Sequence, residues 1–152
     1  MTTQIYLRKP DTGDEEALAV LCGELGYPSS AHEIVERLSH FLDREDHFVL
    51  VAADASDRPV GWIHACIVHR VESDAFVEIG GMVVLGEHRG AGIGTQLLGK
   101  TEEWARSQKV RAIRVQSNVV RKRAQDFYER AGYKQTKTSQ VFLKPLRGSH
   151  RS

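Results

Sequence analysis

Residues 83–98, VVLGEHRGAGIGTQLL, set Gly90, Gly92 and Gly94 into five positions between an apolar run and an amphipathic one. A glycine inside a helix costs about 1 kcal/mol relative to alanine, so three of them at a helix start need a reason. A helix N-terminus offers N–H groups without partners and the positive end of the helix dipole. Glycines let an anion approach the backbone and permit positive φ. The order strand, glycine loop, helix therefore predicts an anion-binding site. Two phosphate loops do not fit. Gly99-Lys100-Thr101 falls inside the helix predicted behind the glycines, not in a loop between a strand and a helix, so a P-loop nucleotidase is unsupported. The spacing is not G-x-G-x-x-G, and the preceding strand belongs to a meander rather than to a first βαβ unit.

The surrounding chain reads as one mixed α/β domain over residues 3–146, with 147–152 as a disordered tail. A helix is predicted over 11–26, with acids in its first turn and Leu18, Leu21, Cys22 and Leu25 at helical spacing; Gly26 ends it. A second over 29–42 has Ser29 or Ser30 as N-cap and Ile34, Leu38, Phe41 and Leu42 as its stripe. Strands over 47–54, 60–70 and 76–84 form an antiparallel meander. The helix behind the glycines, 94–108, carries Leu97, Leu98, Thr101, Trp104 and Ala105 on one side. Then come a strand over 112–117, a helix over 121–132 with Ala124, Phe127, Tyr128 and Ala131 on one face and Gly132 as its stop, and a closing strand over 139–144.

Composition narrows the setting. Of 152 residues 41% are hydrophobic and 27% charged, ordinary for a soluble globular domain. No apolar run approaches a membrane span, and the N-terminus lacks a signal-peptide stretch. Two cysteines far apart, Cys22 and Cys66, argue against a disulfide framework and for a cytoplasmic setting. Charge is split: residues 1–98 carry 7 Lys+Arg against 16 Asp+Glu, net −9, and residues 99–152 carry 14 against 4, net +10. One reading is opposite-charge pairing within the domain. The other is a basic half facing an anionic cofactor and an acidic half facing a cationic substrate.

The segment Arg89-Gly90-Ala91-Gly92-Ile93-Gly94 has the pattern R-x-x-G-x-G and follows the apolar Met82-Val83-Val84 directly. A later strand ends in Gln116-Ser117-Asn118, and RxxAxxFYERAGY follows. Together these resemble the two cofactor motifs of the GNAT acetyltransferase superfamily, and the resemblance runs over nearly the whole chain. The segments ELGYP and GWIHA are similar to members grouped with aminoglycoside acetyltransferases. The resemblance implies a mostly antiparallel sheet, splayed at the cofactor site and flanked by about four helices. It implies acetyl-CoA as co-substrate, its pyrophosphate held at Arg89, Gly90, Ala91, Gly92, Gly94 and Thr95. Pantetheine would pair with backbone along Met82, Val83 and Val84 in the gap beside that strand. Gly80 and Gly81 sit where a bulge would open it, with or without a ligand role. Arg121 replaces the asparagine of many relatives; it reaches the cofactor phosphates or is a solvated helix-start residue. Asn118 is a strand-end polar contact or a turn residue.

Acetyl transfer to an amine requires removing a proton, polarising the thioester and protonating the leaving thiolate. By resemblance the Met82 N–H serves the thioester oxygen and Tyr128 is the acid to the sulfur, the alternative for Tyr128 being core packing. A phenol near pKa ~10 suits reprotonation of a thiolate near ~8.5. Glu78, a carboxylate in an apolar strand, is the candidate base. It lies four residues before Met82 and shares its face unless a bulge intervenes. His64, alternating with Trp62 and Cys66, is the rival, and water a third route. No His/Cys/Asp set has metal-ligand spacing, so no metal is expected. Tyr27, Glu33 and His64 are the candidate acceptor contacts.

The expected activity is acetyl-CoA-dependent N-acetylation of a primary amine on a small, cationic acceptor. The alternatives are a peptide or protein N-acetyltransferase and a catalytically silent acyl-CoA sensor. A homodimer is allowed for; membrane and nucleic-acid partners are not expected, the basic half lacking an aromatic–basic stacking pattern.

Overall fold

The computed structural model of the protein describes residues 4–117 and 122–147. The chain falls into two compact units, residues 1–116 and 117–152, and each is described by itself.

The first unit is built on a five-stranded sheet in the order β1-β2-β3-β4-β5. Its strands are β1 (Tyr6–Arg8), β2 (His47–Ala53), β3 (Pro59–Val68), β4 (Phe76–Val84) and β5 (Ile113–Val115). The first four pair antiparallel in sequence order, and β5 joins β4 in parallel. The meander expected over 47–84 is therefore present, and β4 keeps the bounds expected for it. The three-residue β1 was not anticipated. It pairs Tyr6, Leu7 and Arg8 with Ala53, Ala52 and Val51. Arg8 pins it: its guanidinium donates to both carboxylate oxygens of Asp14, at 2.8 and 3.0 Å, and to Asp57 at 2.8 Å.

Helices cover both faces. Helices α1 (Glu15–Leu25) and α2 (Ala31–Ser39) pack on one, where Leu18, Leu21 and Ile34 meet Val51 and Val83, with Trp62 and Leu25 at the margin. Both ends of this hairpin are encoded locally. Gly26 adopts φ 105°, and the N–H groups of Gly26 and Tyr27 bond to Gly23 and Cys22 carbonyls, a Schellman stop. Of the two serines offered, Ser30 is the N-cap, and it forms a capping box with Glu33. Helix α3 (Ile93–Ser107) covers the opposite face, burying Ile93, Leu97, Leu98, Thr101 and Ala105, and Trp104 stacks on Phe48 of β2. Each fully buried leucine or isoleucine contributes roughly 1.5–3 kcal/mol of hydrophobic stabilisation.

The second unit contains α4 (Lys122–Arg130). Its stop is the expected one. Gly132 has φ 98°, Tyr133 N–H bonds Tyr128 O and Gly132 N–H bonds Glu129 O. The closing strand expected over 139–144 is absent. Those residues have no regular structure, and Val141, Phe142 and Leu143 are 82%, 87% and 88% exposed. A strand needs a neighbour for its N–H and C=O groups, and the described residues of this unit include none.

Candidate active site

The site begins where β4 parts from β5. The parallel pairing covers Val77, Glu78 and Ile79 against Ile113, Arg114 and Val115, and stops there. From Gly80 to Val84 the β5-side edge of β4 faces no strand among the described residues. At the point of parting the β3 register slips: Ala65 opposes Ile79 while His64 opposes Gly81, so Gly80 is the extra residue of a bulge. Leu85 N–H bonds Val60 O on β3. Alternation along an antiparallel ladder then turns the N–H and C=O of Met82 and Val84 toward the open edge.

That slip decides between the two arrangements that the sequence left open for Glu78 and Met82. Paired residues share a sheet face, so Glu78 lies with Cys66, Gly81 with His64 and Val83 with Trp62, on the α1–α2 side. Met82 pairs with Ile63, on the α3 side. The extra residue at Gly80 shifts the two-residue alternation by one, and Glu78 and Met82 side chains point to opposite faces. Gly81 is constrained as well: a Cβ there would stand 2.8 Å from the Trp62 indole.

Behind β4 comes the glycine loop. A 3-10 turn over Gly86–His88 leads to an extended Arg89, then Gly90 at φ 85° and Gly92 at φ 83°, with α3 starting at Ile93. Both glycines thus hold left-handed backbone that side chains rarely adopt. The loop's first helical bond runs from Gln96 N–H to Gly92 O. By helix geometry the N–H groups of Gly92, Ile93, Gly94 and Thr95 have no acceptor inside α3. No acidic residue sits in the first turn to compete for the dipole. Arg89 leans on Glu24 of α1, with 3.5 Å between guanidinium and carboxylate.

The α1–α2 face of the sheet beside the bulge carries Glu78, Cys66, His64 and His47. Glu78 is half-buried, 3.8 Å from Arg114, its register partner on β5. His64 Nε2 and His47 Nδ1 are 2.9 Å apart, and Phe41 stacks on both rings, nearly parallel to His64. Burial, then the neighbouring His47, lowers the His64 pKa from 6.5 to about 4. Cys66 is pushed up, by burial first and then by Glu78 and Asp46, so it is a poor thiolate. His47 and Arg114 were not singled out in sequence, and Phe41 was read only as part of the second helix's apolar stripe. A signal for His47 exists, since it and His64 lie on neighbouring strands predicted to pair. Arg114 gave none, because its strand joins β4 only through a crossover.

The lowered His64 value has a consequence for stability. The folded state binds this proton less tightly than the unfolded chain does. The contribution is therefore complete above pH 6.5 and is lost as pH falls from 6.5 toward 4. It amounts to about 3 kcal/mol at 1.36 kcal/mol per pKa unit. Urea unfolding at pH 7 and pH 4.5 should show a smaller acid loss for His64→Gln than for wild type. Equal losses would remove His64 from the acid response.

The acceptor candidates are dispersed. Tyr27 is 68% exposed at the C-terminal end of α1. The Glu33 carboxylate accepts from Ser30 N–H and lies 3.9 Å from Arg37, so it serves the α2 cap. In the second unit Tyr128 is mostly buried, edge-on to Phe127 and Tyr133, and burial pushes its phenol up to about 12. Asn118 and Arg121 lie outside the described residues. Among the described residues no group of three or more His, Cys, Asp and Glu is placed to hold a metal ion, and no helix is long and apolar enough to cross a membrane.

A mixed sheet opened at a bulge, with a glycine-capped helix behind the open strand, sets an extended backbone edge beside an anion-ready helix start. The profile of the Acetyltransferase (GNAT) family matches residues 15–133, and the chain belongs to this family as an N-acetyltransferase. It is 32% identical over 136 residues to an aminoalkylphosphonate N-acetyltransferase of Salmonella typhimurium, covering 86% of this chain and 85% of that one. An uncharacterized N-acetyltransferase of Methanocaldococcus jannaschii is 27% identical over 110 residues; the match covers 70% of this chain and 48% of that protein. Aminoglycoside N-acetyltransferase AAC(6')-Iy, solved with CoA, shares the fold at a TM-score of 0.82 and 17% identity, with 96% of this chain and 98% of that chain covered.

Proposed function

We propose that the protein transfers acetyl from acetyl-CoA to the primary amine of a small acceptor, as one cytoplasmic catalytic domain over residues 3–146. The observation carrying this reading is the open β4 edge running straight into the glycine-capped start of α3. An extended ligand with an amide-bearing arm and an anionic end matches both. The pantetheine arm pairs with backbone at Met82 and Val84, Val83 between them. The pyrophosphate takes the N–H groups at Gly90, Ala91, Gly92, Gly94 and Thr95, with Arg89 swinging from Glu24, and with Asn118 and Arg121 as further contacts. The Met82 N–H polarises the thioester carbonyl. The amine attacks from the Glu78–His64 face, loses its proton there, and Tyr128 protonates the departing thiolate.

Within this reading the acceptor is a cationic amine drawn by Glu24, Glu33, Glu36 and Glu78, with Tyr27 covering it. Attraction of this kind is screened over about 8 Å at physiological salt. A second reading is favoured by the Salmonella relative: an acceptor with an anionic phosphonate tail. Three of the four carboxylates already have an arginine beside them, Glu24 with Arg89, Glu33 with Arg37 and Glu78 with Arg114, which leaves basic groups near the same surface. CoA release should be measured across multiply charged amines, aminoalkylphosphonates and peptides. For a cationic acceptor KM should rise with added salt, and Glu33→Gln with Glu36→Gln should reproduce part of the rise, since glutamine at position 33 keeps the capping box. If an aminoalkylphosphonate is the best acceptor and the double variant leaves its KM unchanged, the acceptor is of the second kind. No CoA release with any amine would sink the acetyl-transfer reading.

A further inference from the structure

His47 lies on β2, outside both cofactor motifs, and the chemistry above leaves it without a role. Its Nδ1 is 2.9 Å from His64 Nε2. The two rings are 18° from parallel, and Phe41 clamps both at centroid distances of 4.9 and 4.4 Å. The other nitrogen of His64 looks the opposite way: a Cβ on Gly80 would lie 3.7 Å from His64 Nδ1. His64 therefore spans from His47 to the bulge where β4 parts from β5. A neutral imidazole donates through one nitrogen and accepts through the other, and the bond made by one decides the role of the other.

We propose that His47 is a positioning residue for acetyl transfer: by accepting the Nε2–H of His64 it leaves His64 Nδ1 unprotonated and aimed at the Gly80 bulge, where it takes the proton of the attacking amine. This rests on the acetyl-transfer reading and assigns the proton on the Glu78–His64 face. The reacting amine attacks as the free base, its ammonium proton having passed to water; as its nitrogen bonds to the thioester carbon it becomes cationic and strongly acidic. Its N–H bond breaks and the His64 Nδ1–H bond forms. The carbon–sulfur bond breaks, and the thiolate takes its proton from the Tyr128 phenol. The positive charge on His64 is spread through Nε2–H onto His47; after the product leaves, His64 gives its proton to water and water returns one to the Tyr128 phenolate, so that both residues are restored. His64 remains neutral until that moment because it is buried beside a second imidazole. Glu78 draws the amine in without being the acceptor of its proton. The other titratable groups facing the pair are Cys66, across from His47 in register, and Asp46, held by Arg44. From the α2 side the pair meets the Phe41 ring.

Two measurements test this on the full chain. Long-range proton–nitrogen NMR on the ligand-free protein should show His64 with Nε2 protonated and Nδ1 bare, and His47→Ala should abolish that preference. An Nδ1-protonated His64 in wild type overturns the proposal. In steady-state kinetics with the best amine found, His47→Ala should lower kcat by roughly 10-fold or more, with acetyl-CoA affinity unchanged. His47→Asn, whose amide oxygen also accepts, should recover part of it. The double variant His47→Ala with His64→Gln should be no slower than His64→Gln alone, because an orienting residue has nothing left to orient. Additive losses, or a folded His47→Ala at wild-type kcat, overturn the role of His47 alone. Absence of CoA release from wild type with every amine is a different failure, that of the acetyl-transfer reading.

Discussion

Tyr128→Phe should lower the turnover of acetyl transfer roughly 10²–10⁴-fold, the usual size for a positioned acid or base, while leaving the melting temperature nearly unchanged. Phenylalanine keeps the ring, and with it the edge-on contacts to Phe127 and Tyr133 at 5.2 and 5.7 Å. Only the hydroxyl, with the proton it would donate, is lost. Burial pushes the phenol from 10 to about 12, so it stays protonated throughout the neutral range and acts as a donor there. The same shift gives the variant a stability signature. In wild type a raised folded pKa adds stability below pH 10 that is lost as pH climbs from 10 to 12, about 3 kcal/mol at 1.36 kcal/mol per unit. Tyr128→Phe should lack that alkaline step. A turnover within a few-fold of wild type would return Tyr128 to packing.

Gly92→Asp should weaken acetyl-CoA binding by tens of fold or more, from about 2 kcal/mol of lost charge-assisted hydrogen bonding. Strain and charge must be separated, because Gly92 has φ 83° and any side chain there is disfavoured, though a Cβ meets nothing within 4 Å. Asparagine and aspartate are nearly the same size and both tolerate left-handed backbone. The comparison is therefore Gly92→Asn against Gly92→Asp, measured by calorimetry on folded protein. If phosphate sits on the N–H groups at the start of α3, asparagine should cost little and aspartate much. Equal affinities for the two variants would move the pyrophosphate away from this helix.

Local chemistry made much of this fold legible. Gly26 and Gly132 terminate helices because each adopts positive φ, and the Ser30–Glu33 capping box starts α2 by satisfying its own N–H groups. The 2-residue and 3.6-residue periods marked β2 to β4 and α1 to α4 because each buries one face. The glycine loop was readable for the same reason: positive φ at Gly90 and Gly92 is a property of those residues. What needed tertiary structure was every feature that depends on a partner distant in the chain. The three-residue β1 exists through pairing with β2 and the Arg8–Asp14–Asp57 cluster. Residues 139–144 have strand chemistry but, within the described part of their own unit, no strand to pair with. Gly80 and Gly81 marked the place of a bulge in sequence, but that it forms, with Gly80 as its extra residue, is set by the β3–β4 register, and this decided that Glu78 and Met82 face opposite ways. Phe41, His47 and His64 meet because a turn, a strand and its neighbour converge on one face of the sheet. Sequence by itself determined the class of element at most positions and the anion-ready start of α3; register and packing decided which side chains share a site, because contact across a sheet is set by pairing partners and not by neighbours along the chain.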